Sequence, residues 1–174
     1  DTVTFTNTLN SLGTTTRAIT LTVNAAGDLA ITPAGGLASE GLPGGPFTTP
    51  NFTWTLTNPG DATLAWTAAA SQSWLNLSHT GGNLAPGATV TVTAALSGAA
   101  NTLPVGAYHD AVLFTNTSTG RGTTSRNADL MVRPAAPVLA AEPPVTGGTS
   151  NTISWSPVAG ATEYEAQAAN NTGF

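Results

Sequence analysis

Four tryptophans, two histidines and a few scattered acids are the residues of this 174-residue chain best suited to chemistry. Trp54, Trp66, Trp74 and Trp155 have flat faces of the kind that stack on sugar rings. Period-two alternation groups Trp54 with Phe52 and Leu56, Trp66 with Leu64, and Trp155 with Ile153, which points all three to the apolar sides of their strands. Trp74 opens a Trp-Leu-Asn-Leu run, where alternation groups it with Asn76 and apart from Leu75 and Leu77. Trp74 and the nearby His79 are therefore the candidate carbohydrate-binding residues.

His79 and His109 have no second histidine or carboxylate cluster at metal-ligand spacing. No Asp-x-Asp calcium loop occurs, so neither a metal nor a cofactor is expected. His109 and Asp110 are adjacent, but neighbours in a strand face opposite sides. No Gly-x-Ser-x-Gly elbow is present. Glu163 and Glu165 are the closest same-face acids, and they suit a solvent-facing strand better than the two carboxylates flanking a cleft that glycoside hydrolysis needs. No catalytic residue is assigned, and the expectation is a protein that is not an enzyme.

Elements must position these residues, and composition restricts which. Only 7% of residues are charged, against roughly 25% in average proteins. Four arginines, no lysine and nine acids leave a net charge of −5, a balance that disfavours nucleic acid and anionic membranes. Cysteine is absent, which removes disulfides, thiolate metal sites and cysteine nucleophiles. No apolar run is long enough to suggest membrane insertion. Hydrophobic residues make up 40% and fall in short alternating runs, the pattern of a folded β protein.

Runs such as Phe52/Trp54/Leu56, Leu64/Trp66, Val90/Val92 and Val112/Phe114 alternate with polar or small residues, and Asn58-Pro-Gly-Asp, Leu84-Ala-Pro-Gly and Leu103-Pro-Val-Gly supply turns between them. Seven or eight short strands with turn signals every 8–12 residues predict an all-β, immunoglobulin-like two-sheet sandwich. Residues 32–46, rich in Gly and Pro, read as a loop. Beyond a stiff Arg133-Pro-Ala-Ala-Pro linker, residues 134–174 change texture, and alternation there predicts three strands around Ile153, Trp155 and Tyr164.

One segment recurs without a gap 109 residues later: residues 1–24 lie over residues 110–133 with 12 of 24 positions identical. Asp1/Asp110, Val3/Val112, Phe5/Phe114, Asn7/Asn116, Gly13/Gly122 and Arg17/Arg126 are among the identities. A fixed period is the signature of tandem modules. It predicts closing strands of one module at 1–24, a complete module at 25–133, and a different, incomplete module at 134–174. Two strands are marginal alone, so residues 1–24 are expected to pair with the rest of a preceding domain in a longer protein and, without it, to dock on the central domain or on a neighbouring chain. The alternative is a solvent-exposed, disordered segment.

Two resemblances follow from the motifs. TLTNPGDATLAWTA (residues 55–68), SWLNLSHTGGNLAPGATVTVT (73–93) and LPVGAYHDAVLFTN (103–116) resemble bacterial BACON-type immunoglobulin-like domains, which often accompany carbohydrate-active enzymes and proteases. Ile153-Ser-Trp155 and Tyr164-Glu-Ala-Gln look like the start of a fibronectin type III domain. The first resemblance implies an extracellular or cell-surface accessory module and makes Trp74 a core residue.

The function expected is a non-catalytic β-sandwich segment of a larger secreted or surface bacterial protein, serving as spacer, stalk or presentation module. Its partners would be adjacent domains of the same polypeptide. The alternatives are a carbohydrate-binding accessory module that takes polysaccharide or cell-surface glycan, and an adhesin or filament subunit in which residues 1–24 pair with another chain by strand addition.

Overall fold

Threonine and apolar residues alternate most regularly between residues 51 and 132, and that stretch holds most of the sheet. The computed structural model describes residues 1–22, 26–141 and 152–166. Val23, Gln167 and Ala168, which alternation places on strands, lie outside the described residues. A short hairpin comes first, β1 (Thr2–Phe5) with β2 (Thr15–Ala18). Then come β3 (Ala30–Thr32), β4 (Leu37–Gly41), β5 (Asn51–Thr57), β6 (Leu64–Ala69) and β7 (Leu75–Leu77). They are followed by β8 (Gly81–Leu84), β9 (Thr89–Leu96), β10 (Gly106–Asn116) and β11 (Thr124–Val132).

Strands β3 to β11 form an immunoglobulin-like sandwich. One sheet has the order β4-β11-β10-β6-β8 and the other β3-β5-β9-β7. Alternation sends Trp54, Leu56 and Val92 of one sheet, and Leu64, Trp66, Val112, Phe114 and Leu130 of the other, into the space between them. Phe114 meets Trp54 edge-on across the sheets, with ring centroids 5.4 Å apart and planes at 71°, a geometry aromatic quadrupoles favour. The opposite parity of β5 and β9 is threonine. Thr53, Thr55 and Thr57 stand opposite Thr93, Thr91 and Thr89, and the Thr53 and Thr93 hydroxyls hydrogen-bond at 2.8 Å. That polar ladder keeps a surface with few charges wet.

The 32–46 stretch is not only loop. The chain crosses there from one sheet to the other: β3 pairs antiparallel with β5, and β4 pairs parallel with β11. Pro33, Gly35 and Gly36 break the strand between them. A Cβ on Gly36 would sit 1.9 Å from the Asn127 carbonyl oxygen, so only glycine fits the crossing. The Trp54 indole Nε1–H donates to the Gly35 carbonyl at 2.8 Å. Arg126 donates from Nη2 to the Ile31 carbonyl at 3.0 Å and from Nε to that of Pro33 at 3.4 Å. Gly81 and Gly82 also read as a strand end, yet they begin β8, where a Cβ on Gly81 would sit 2.9 Å from the Trp66 carbonyl oxygen and Gly82 lies against the Trp66 indole.

Strands β1 and β2 pair from Thr2↔Ala18 to Phe5↔Thr15. Shifted by 109 residues, each pair matches a pair of β10 and β11, from Ala111↔Asn127 to Phe114↔Thr124. Every residue of β1 and β2 is exposed, so the sandwich does not cover the hairpin. The position it would occupy on the five-stranded sheet is already filled by β10 and β11.

The fibronectin type III start is not confirmed. Among the described residues after Arg133, pairing is limited to an isolated bridge, Leu139↔Trp155. Trp155 and Tyr164 meet with ring planes tilted by 54° and centroids 5.6 Å apart, and Ile153 and Tyr164 remain exposed. A strand fragment with no opposing sheet has little to bury its apolar face against.

Candidate functional site

The two candidate stacking residues lie in different environments. Trp74 is only 2% exposed and presents no face to a sugar. It sits in a turn just before β7, closed by the Leu75 amide donating to the Gln72 carbonyl at 3.3 Å. The residue is not extended there, so strand parity does not govern it, and Trp74 and Leu75 both turn inward. His79 is exposed, its Nδ1 3.1 Å from the Ser78 hydroxyl. Trp54 and Trp66 are core residues, and Trp155 is half-buried against Tyr164. A shallow depression beside β7 is lined by Ala68, Ala69, Ala70, Leu75, Asn76, Leu77 and Thr80, with no aromatic ring among them.

The polar candidates form two pairings that register creates. His109 and Asp129 face each other across β10 and β11, with Nδ1 and Oδ1 2.7 Å apart on an open surface. Asp110 turns to the opposite side, toward the start of the 71–74 turn. Its carboxylate accepts from the Ser71 hydroxyl at 2.7 Å, from the Ser71 and Gln72 amides at 3.0 Å each, and from the Ala111 amide at 2.8 Å. Burial alone would raise the pKa of Asp110, but these donors outweigh it and hold the group below the usual carboxylate range. The Ser71 hydroxyl does lie on the Asp110 carboxylate, but a carboxylate held below its usual pKa is a weak base for activating it, and His109 points to the other side of the strand. Among the described residues no three His, Asp or Glu side chains converge as a metal site would require.

The most built polar features are two buried asparagines. Asn58 is fully buried and Asn116 is 1% exposed. Asn58 Nδ2 donates to the carbonyls of Ala62 at 2.8 Å and Leu84 at 3.0 Å, while Oδ1 accepts from the Gly60 amide at 3.0 Å and the Asp28 amide at 3.3 Å. Asn116 Nδ2 donates to Thr119 Oγ1 at 2.8 Å and to the carbonyls of Arg121 at 2.9 Å and Gly27 at 3.1 Å. Its Oδ1 accepts from the Ser118 and Thr119 amides, both at 3.1 Å. One asparagine from each sheet thus grips residues 27–28, where the chain enters the sandwich. Gly122, at φ 75°, packs so closely on Leu29 that a Cβ would lie 1.9 Å from the Leu29 carbonyl oxygen.

At the other end of β11 the Arg133 amide donates to the Gly41 carbonyl at 2.8 Å, and the Arg133 guanidinium pairs with Glu40. Tyr108 closes the corner beside it, its hydroxyl donating to the Pro104 carbonyl at 2.8 Å. The asparagine roles were missed in the sequence, although Asn116 stands among the repeat identities and Asn58 opens the Asn-Pro-Gly turn. An asparagine at a strand end just before a turn was the available signal.

Residues 48–127 match the family described as the viral BACON domain. No curated protein sequence matches the chain. Among solved structures, the PapD-like domain 7 of human CEP192 is 13% identical, with a TM-score of 0.48, covering 69% of this chain and 94% of that one. The E. coli chaperone DraB is 12% identical, with a TM-score of 0.42, covering 64% of this chain and 58% of its own. The Acinetobacter baumannii CsuC–CsuE chaperone–tip adhesion subunit complex gives 12% identity and a TM-score of 0.41, covering 60% and 56%. The chain therefore spans less than two thirds of the length of those two. The matched segment runs from just before β5 into β11 and takes in Asn58, Asn116 and most of the core, so the similarity to that family falls on the sandwich.

Proposed function

We propose that this domain is a non-catalytic spacer within a larger secreted or surface-exposed protein, holding neighbouring modules apart along one axis. The observation that carries the reading is the path of the chain. It enters beside the β10–β11 turn, where the Leu29 amide donates to the Arg121 carbonyl at 3.2 Å and the asparagines grip residues 27–28. It leaves at Arg133, at the far end of β11. Nine residues of strand separate the two points, about 25–30 Å at the usual rise per residue. Entry and exit at opposite poles, each tied by hydrogen bonds, are what a module needs to pass an axis to the next one.

The surface suits the same role. It is threonine-rich and poor in charge, and among the described residues the ion pairs His109–Asp129 and Arg133–Glu40 stand apart and no cluster of acids and histidines forms. No helix among the described residues is long and apolar enough to cross a membrane. The sequence resemblance is to bacterial domains and the matching family is described as viral, so the surface of a virus particle joins the cell surface as a setting for such a spacer.

Small-angle scattering from two copies of residues 26–133 joined in tandem tests this reading. The maximum dimension should exceed that of one copy by at least a strand length, about 25–30 Å. A compact, side-by-side particle would overturn it.

A further inference from the structure

The hairpin of residues 1–22 carries an apolar face that nothing among the described residues covers. Val3, Phe5, Ile19 and Leu21 are 39%, 59%, 53% and 84% exposed. Their counterparts 109 residues on, Val112, Phe114, Ala128 and Leu130, are at most 1% exposed. Exposed apolar residues in such an arrangement mark a binding face, and the second hairpin shows what that face is shaped to meet.

The two hairpins share their internal bonding as well as their register. Asn7 Oδ1 accepts from the Leu9 amide at 3.0 Å, and its Nδ2 donates to Asn10 Oδ1 at 2.8 Å and the Leu12 carbonyl at 3.2 Å. Asn116 makes the same three bonds to Ser118, Thr119 and Arg121. Arg17 Nη1 reaches Thr15 Oγ1 and the Thr16 carbonyl, as Arg126 Nη1 reaches Thr124 Oγ1 and the Ser125 carbonyl. Asp1 Oδ1 accepts from the next amide at 2.7 Å, as Asp110 does at 2.8 Å. Gly13 and Gly122 both adopt positive φ, 78° and 75°.

In the second hairpin those same residues also reach outward. Asn116 bonds Gly27, Arg126 bonds Ile31 and Pro33, Asp110 bonds Ser71 and Gln72, and Gly122 packs on Leu29. Every one of those targets lies in the body of the sandwich, residues 26–109. In the first hairpin, Gly13 faces open space.

We propose that residues 1–22 are the closing hairpin of a second sandwich of this kind, and that their apolar face takes a body of the same design as residues 26–109, joined ahead of residue 1. A hairpin that only linked two domains would need neither the four apolar positions on one face nor the asparagine, arginine and glycine at these particular places. The reach of each residue is set by the register, so the body it fits must bring its entry strand and its 71–72 turn to the same positions.

The test extends the intact chain by placing a copy of residues 26–109 directly ahead of Asp1, so that Asp1 follows as Asp110 does. In a matched control the same copy is closed by residues 110–133 in place of 1–24. Hydrogen exchange should show the amides of residues 2–5 and 15–18 slowed on the order of 100-fold or more relative to the unextended chain, as in the control. Phe5→Asp in the extended chain should remove that protection. Hairpin amides that exchange as fast as in the unextended chain, while the control is protected, would overturn the proposal. Protection that appears in the unextended chain at high concentration, together with a dimer mass, would also overturn it in favour of pairing between copies. Residues 1–24 are absent from the tandem used for scattering, so failure of the spacer reading and failure of this one are separable.

Discussion

Two hairpins that share half of their residues sit in opposite environments. The β1–β2 pair is solvated on both faces, and the β10–β11 pair forms the middle of a five-stranded sheet. Both keep the same register, the same asparagine-bridged turn and the same arginine contact on its own strand. Local sequence is therefore enough to specify the hairpin. What it does not supply is burial, and burial is where apolar side chains contribute most of their stabilisation. Setting each residue against its twin separates the contribution of local bonding from that of the surrounding sandwich.

The largest contrast should come from the aromatic twins. Phe114 is fully buried against Trp54, so Phe114→Ala should cost about 3–5 kcal/mol in denaturant unfolding. Phe5→Ala should leave the sandwich transition within about 0.5 kcal/mol of the parent. Equal losses would mean that the first hairpin is packed on the sandwich after all.

The asparagine twins come next. Asn116→Ala strands the Gly27 and Arg121 carbonyls and two amides in a buried place, and about 3 kcal/mol should be lost. The same change at Asn7, whose partners water can replace, should move the midpoint by less than about 0.5 kcal/mol. A small effect at Asn116 would show that water can enter the grip around Gly27 and that the entry point is loosely held.

The smallest contrast is electrostatic. The folded pKa of Asp110 is depressed, so its contribution is present above the ordinary aspartate value of about 3.9 and is lost as pH falls through the lower folded value. Asp110→Asn should cost about 1 kcal/mol at pH 7 for this partly exposed group. The gap between parent and variant should narrow in urea titrations as pH is lowered below 4. Asp1→Asn should show no gap at either pH. A gap at Asp110 that persists unchanged at low pH would assign its role to shape rather than charge.

Strand parity was legible wherever the chain is extended and half-buried. Phe52, Trp54 and Leu56 alternate in both sequence and burial, as do Leu64 and Trp66. Elements whose partners are remote in sequence were not legible. β4 follows a proline- and glycine-rich stretch and exists because β11, about ninety residues later, offers an edge to pair with. Gly81 and Gly82 carry no alternation, and β6 makes them a strand. Trp74 was misplaced by parity because a turn suspends the period of two. The His109–Asp129 and Asp110–Ser71 contacts depend on pairing across strands and loops, which spacing along the chain does not encode.

The crossing of the chain from β3 in one sheet to β4 in the other has a mechanical consequence. Tension between neighbouring modules would pull residue 29 toward one pole and Arg133 toward the other. The parallel partners β4 and β11 would then be drawn past each other along their common length. Their five paired positions, from Leu37↔Ala128 to Gly41↔Val132, would share that load together, in shear, rather than yield in succession as a peeled edge does. The seam least visible in the sequence is the one that would resist extension.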